Sequence, residues 1–171
     1  MTTTGQLPSL QYSDQTIASV LRDVKTIAMV GASANWVRPS NFVLKYLLGK
    51  GYRVIPVNPG QAGKEILGQM TYGTLADIPG PIDMVDIFRS SEAAGSTVDE
   101  ALLLVSEKRI SVIWMQIGVR NDEAARRAEA SGMRVIMDRC PKIEYGRLFG
   151  ELGWSGVNSN IISARRRRIM P

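Results

Sequence analysis

The sequence predicts an α/β fold, a parallel sheet of about five strands with helices packed on both faces. Three observations predict it: short apolar runs alternate with stretches of helical periodicity, each run stops at a glycine or a polar cluster, and no linker interrupts the alternation over the 171 residues. Such runs suit strands buried on both faces, and strands separated by helices pair in parallel through right-handed crossovers.

Ile17, Val20, Leu21 and Val24 share one face of a leading helix, for which Ser13 or Asp14 is the N-cap. Thr26 to Val30 is the first strand, stopped by Gly31. After a turn from Gly31 to Pro39, Ser40 or Asn41 caps a helix carrying Phe42, Val43, Tyr46 and Leu47 that ends around Gly49 to Gly51. Arg53 to Val57 is the second strand. The stretch from Asn58 to Pro81 is rich in glycine and proline, with one short apolar piece at Ile66 and Leu67, and is expected to cross the surface with one short helix. Ile82 to Phe88 is the third strand, followed by a helix with the buried stripe Val98, Ala101, Leu102 and Val105. Ser111 to Met115 is the fourth; a helix capped by Asn121 and closed at Gly132 leads to the fifth, Met133 to Met137. The expected result is a doubly wound, Rossmann-type domain over residues 14–160, between an N-terminal extension (1–13) and a basic C-terminal tail (161–171). Tyr145, Leu148, Phe149, Leu152 and Trp154 form an apolar cluster expected to dock on the sheet, the alternative being a homodimer contact.

Composition excludes several chemistries. The chain has no histidine, which removes imidazole bases, Ser-His-Asp triads, histidine metal sites and phosphohistidine intermediates. One cysteine, Cys140, excludes an intramolecular disulfide and points to a reducing compartment. No apolar run approaches the ~18 residues that span a membrane, and the N-terminus lacks the basic flank and apolar stretch of a secretion signal, so a cytoplasmic protein is expected. The net charge of +5 is concentrated: with Arg165 to Arg168 set aside, 17 basic residues stand against 16 acidic ones. No basic helix or aromatic-interleaved strand accompanies that run, so it reads as a solvated tail and not as a nucleic-acid-binding arm.

In doubly wound sheets the ligand crevice lies beyond the carboxyl ends of the strands. Those ends are Gly31-Ala32-Ser33-Ala34-Asn35, Asn58-Pro59-Gly60, Arg89-Ser90-Ser91, Gln116-Ile117-Gly118 and Asp138-Arg139-Cys140-Pro141, all polar or glycine-bearing. Gly31 lets the backbone approach an anion while the next helix turns its N-terminus toward it. Only the first glycine of the dinucleotide fingerprint is present, and Asn58-Pro59 stands where a nicotinamide dinucleotide site places an acidic residue. Arg38, Lys64 and Arg89 add cations around the same edge, more than one phosphate requires.

Val30-Gly31-Ala32-Ser33, Pro56-Val57-Asn58-Pro59, Gly63-Lys64-Glu65-Ile66-Leu67-Gly68, Phe88-Arg89, Gln116-Ile117-Gly118 and Asp138-Arg139-Cys140-Pro141, in that order, resemble the stand-alone CoA-binding proteins. That family is similar in turn to the N-terminal CoA-binding domain of the succinyl-CoA synthetase α-subunit. The resemblance implies coenzyme A as ligand, with Gly31, Ala32 and Ser33 cradling the diphosphate and Asn58 and Pro59 bordering the adenosine. It further implies that Phe88 and Arg89 close that pocket and that Gln116 and Gly118 face the pantetheine. Ligase chemistry is excluded, because the synthetase works through a phosphorylated histidine that this chain lacks. Gln61 stands where the synthetase has a lysine soon after its Pro-Gly, with Lys64 following.

A nucleotide edge without an acid, base or metal set points to a binding module (carrier, sensor or regulatory subunit) for coenzyme A or an acyl-CoA. The alternative is an enzyme: a nicotinamide-dependent oxidoreductase, or a CoA-dependent transferase using Cys140 or Asp138. Cys140 carries a separate redox expectation. If Pro141 ends the fifth strand, the sulfur stands at the crevice edge, and Arg139 on the same side would favour its thiolate and a mixed disulfide with coenzyme A.

Overall fold

The computed structural model describes residues 7–150, and within them the elements run α1 (Asp14–Asp23), β1 (Thr26–Val30), α2 (Pro39–Gly49), β2 (Arg53–Val57), β3 (Glu65–Ile66), β4 (Gln69–Met70), β5 (Met84–Ile87), α3 (Ser91–Lys108), β6 (Val112–Met115), α4 (Asp122–Ala130), β7 (Arg134–Ile136) and α5 (Pro141–Leu148). A 3₁₀ turn, Pro59–Gln61, follows β2. Leu152, Trp154 and Arg165 to Arg168 lie outside the described residues, as do the first six residues of the expected N-terminal extension, residues 151–160 of the expected domain and the whole of the expected tail.

Five strands form one parallel sheet in the order β2-β1-β5-β6-β7. The alternation along each strand builds two cores. Ala28, Val30, Val85, Ile87, Ile113 and Met115 face α3 and α4, while Ile27, Met29, Met84, Val112, Trp114 and Ile136 face α1, α2 and α5. The chain leaves β1 toward β2 on one side and returns to β5 on the other, so the order reverses between β1 and β5. That reversal opens a crevice at the carboxyl ends of the strands.

The expected fold class is the observed one, and β1 and β2 have the expected bounds. The later strands are shorter than their apolar runs, because pairing stops before the run does. Ser13 caps α1, its hydroxyl accepting from the Thr16 amide at 3.1 Å. Elsewhere the structure corrects the reading. α2 begins at Pro39, one residue before the expected caps; proline has no N–H to lose in the first turn and its fixed φ is already helical. Ser40 and Asn41 are buried inside that turn.

The one short helix of the crossing from Asn58 to Pro81 is the 3₁₀ helix Pro59–Gln61, and the rest of the crossing holds no α-helix. Ile66 and Leu67 belong to the β3–β4 hairpin, where Leu67 and Gly68 at φ 50° and 75° make a two-residue turn of the type that requires positive φ at both positions. The same crossing sends Leu75 and Ile78, both fully buried, into the core. α5 also replaces an expected strand end: β7 stops at Ile136, and Pro141 opens a helix. Tyr145, Leu148 and Phe149 on α5 and at its end pack on the α1–α2 side, the docking expected of that cluster.

Candidate functional site

Gly31 makes the turn out of β1 and admits no other residue. Its φ is +86°, and a Cβ built there would lie 2.3 Å from the Phe88 carbonyl oxygen, so β1 and the end of β5 are brought into contact across a bare backbone. Two asparagines then arrange the turn. Asn58 Nδ2 donates to the Ala32 carbonyl at 2.8 Å, and Asn41 Nδ2 donates to the Ser33 carbonyl at 3.0 Å. The Asn58 side-chain oxygen accepts from the Gly60 amide at 2.9 Å, which locks the end of β2 to the same turn. Both carbonyls are thereby occupied, and the amides of Ala32 and Ser33 have no backbone partner among the described residues. With the N-terminus of α2 just beyond, this is a cradle of the kind that holds phosphate.

Two cavities open on either side of this turn. The larger, about 900 Å³, is lined by Gly31, Ala32, Ser33, Arg38, Phe42, Asn58, Phe88, Gln116, Cys140 and Lys142, among others. The smaller, about 300 Å³, is lined by Val30, Gly31, Asn58, Pro59, Phe88, Arg89, Ser90 and Ala93. Gly31, Asn58 and Phe88 belong to both, so the turn is the ridge over which one ligand could lie in two halves.

Most of the expected residues meet here. Gly31, Ala32, Ser33, Arg38, Asn58, Phe88 and Gln116 line the larger cavity, and Pro59 and Arg89 the smaller. Gly118 and Lys64 line neither. Gly118, at φ +81°, donates its amide to the Asp138 carboxylate at 2.7 Å and so ties the β6 loop to the β7 loop, while its neighbours Ile117 and Val119 face the cavity. Lys64 sits on the exposed turn before β3, its carbonyl accepting from the Thr71 amide.

Cys140 lines the larger cavity but is otherwise unlike its expectation. Arg139 turns away from it, donating to the Asp138 and Leu10 carbonyls with its guanidinium 5.6 Å from the centre of the Tyr12 ring. Burial pushes the Cys140 thiol up, against a smaller opposing effect of the Ile143 backbone N–H. The condition on which the thiolate expectation rests, Arg139 on the same side as the sulfur, is not met: Arg139 turns toward Tyr12 and Leu10, and Trp114 Nε1 donates to the Arg139 carbonyl at 2.8 Å.

Three contributions escape sequence reading. Lys142 brings a cation to the cavity from the first turn of α5, signalled only by Pro141 as a helix opener. Phe42 and Ile143 supply apolar wall; Phe42 reads in sequence as an ordinary helix position, and Ile143 falls in a stretch to which the sequence reading gives no element. Asp86, fully buried in the middle of β5, accepts from Gln116 Nε2 at 3.0 and 3.2 Å, and burial raises its carboxyl to about 7 despite that bond. Its signal was present: the expected strand Ile82 to Phe88 carries two acidic residues, Asp83 and Asp86, in an otherwise apolar run, and Asp86 is the one nearer its middle.

The model of the family described as "CoA binding domain" matches residues 25–146, the span from β1 into α5. The uncharacterized protein YneT of Bacillus subtilis (strain 168) is 39% identical over 129 residues, covering 75% of this chain and 91% of that protein. A hypothetical protein from Pyrococcus horikoshii OT3 has a solved structure with a TM-score of 0.75 and 37% identity, covering 88% of this chain and all of that one. The dinucleotide-forming acetyl-coenzyme A synthetase 1 of Ca. Korarchaeum cryptofilum is similar over 68% of this chain and 26% of that longer one, with a TM-score of 0.57 and 25% identity.

Proposed function

The chain belongs to the CoA binding domain family, and from that membership we propose that it binds coenzyme A, free or acylated, as a carrier, sensor or regulatory module that does no chemistry of its own. The observation that carries the reading is the pair of cavities meeting at the Gly31 turn. Free amides at Ala32 and Ser33 suit the diphosphate at the ridge. The smaller cavity, with Asn58, Pro59 and Arg89, suits the adenosine end. The larger, walled by Phe42, Phe88, Ile117 and Ile143, suits the thinner, partly apolar pantetheine arm.

Arg38 and Lys142 at the larger cavity and Arg89 at the smaller supply the charge that a ligand with several phosphates needs. The absence of an acidic residue after β2, where Asn58 instead braces the phosphate turn, argues against a nicotinamide dinucleotide. Burial opposes ionisation of the Cys140 thiol, so we assign that sulfur to the pocket wall and not to redox exchange with the ligand. A cytoplasmic setting fits such a ligand.

Calorimetric titration with coenzyme A and with NADH tests this. Saturable binding of coenzyme A, with no comparable heat from NADH at the same concentration, is expected. No binding of coenzyme A, or equal affinity for the two, would overturn the reading, and turnover of acetyl-CoA during incubation would move the protein among enzymes.

A further inference from the structure

Gln116 lines the larger cavity while its side-chain nitrogen is held from behind by a carboxyl group. That group, Asp86, stands in the row Met29, Asp86, Trp114 and Ile136 across the sheet, the row that faces α1, α2 and α5. The Gln116 amide oxygen has no hydrogen-bond partner among the described residues. An ionised carboxylate only accepts hydrogen bonds, so it must meet the nitrogen of the amide and turn the oxygen toward the cavity. The cavity wall there is then an acceptor.

We propose, resting on the coenzyme A reading above, that Asp86 acting through Gln116 selects the ligand's end group: the pocket prefers the free thiol and disfavours the thioester. A thiol brings an S–H that the Gln116 oxygen can accept. A thioester brings a carbonyl oxygen, and two acceptors facing each other away from water leave both unpaired, which costs more than a weak S–H bond contributes. Asp86 is a positioning residue in this scheme; Gln116 is the group that touches ligand.

The same pair makes the preference reversible. A protonated Asp86 carries an O–H, which the Gln116 oxygen can accept once the amide turns over, and the cavity then meets an N–H₂ donor suited to a thioester carbonyl. Burial places that exchange near neutrality. The other titratable groups packed on this side of the sheet include the tyrosines Tyr46, Tyr52 and Tyr145, and burial pushes the hydroxyls of the first two above their ordinary range. Cys140 feels the Asp86 charge and is itself held as the thiol by burial. Lys142 and Lys50 lie 5.6 and 5.0 Å from the centre of the Tyr46 ring of α2, and Glu144 of α5 is paired with Arg147. α1 turns only Ile17, Ala18, Val20 and Leu21 inward, and β1 and β6 flank Asp86 with Met29 and Trp114.

The test is calorimetric titration of the full chain with coenzyme A and with acetyl-CoA at pH 5.5 and pH 8.5. The phosphates and adenine titrate alike in both ligands, so the ratio of the two dissociation constants isolates the end group. We expect coenzyme A to bind about tenfold tighter than acetyl-CoA at pH 8.5, with the ratio falling to about one at pH 5.5. Asp86→Asn and Gln116→Leu should each give a ratio that no longer changes with pH. A wild-type ratio equal at the two pH values overturns the inference while leaving coenzyme A as ligand, and needs no variant to fold. If neither ligand binds, the coenzyme A reading fails and this one with it.

Discussion

A carboxyl group in the middle of a parallel strand is tolerable only when hydrogen-bonded or neutral, and Asp86 is both in turn. Its folded value of about 7 lies above the ordinary carboxylate range near 4, so between those limits the folded protein holds a proton that the unfolded chain has released. Stability is therefore greatest at the acid side of this window and declines as pH rises through about 7. Asp86→Asn removes the dependence, and its melting temperature relative to wild type should be higher at pH 8 than at pH 5. Scanning calorimetry checks this, and an identical difference at both pH values would mean that Asp86 does not titrate in the window. At Gly31 the constraint is steric. Alanine must adopt φ +86° and displace the Phe88 carbonyl, so Gly31→Ala is expected to cost more than about 2 kcal/mol, read as a lowered urea midpoint.

At the scale of elements, the loops after β1 and β5 should carry the phosphate recognition. Arg38→Ala and Arg89→Ala are each expected to weaken coenzyme A about tenfold or more without changing the melting temperature, because both side chains are exposed and serve the cavities. Unchanged affinity in both would return them to the solvated surface. The α4 cap separates stability from binding. Asn121 Oδ1 accepts from the Ala124 amide at 2.9 Å while Nδ2 donates to the Ser91 carbonyl at 3.0 Å, joining the starts of α4 and α3. Asn121→Ala should cost about 1 to 2 kcal/mol in chemical denaturation and leave coenzyme A affinity as it was. That cap was legible because asparagine before an acidic first turn has one local meaning. The start of α2 was misread for the opposite reason: Ser40 and Asn41 are good caps by type, but Pro39 claims the first helical position, and Asn41 is needed 3.0 Å away at the Ser33 carbonyl.

For the whole molecule, the basic run Arg165 to Arg168 holds most of the net charge and lies beyond the family's match at residues 25–146. Deleting Arg165 to Pro171 is expected to leave coenzyme A affinity within a factor of about two, since the strand-end residues that line the two cavities supply Arg38, Lys142 and Arg89 as cations of their own. A large loss on titration would bring the tail into the site. No described helix is long and apolar enough to cross a membrane. The sequence by itself determined the α/β class, the positions of the five sheet strands and the glycine turn, because apolar runs, helical periodicity and glycine act within a few residues of themselves. Only the tertiary structure decided the order β2-β1-β5-β6-β7, the two cavities divided at Gly31, the turning of Arg139 away from Cys140, and the contact between Asp86 and Gln116 thirty residues apart. These depend on which strands lie side by side and on what each buried polar group finds across the sheet, and a pattern read along one strand carries neither.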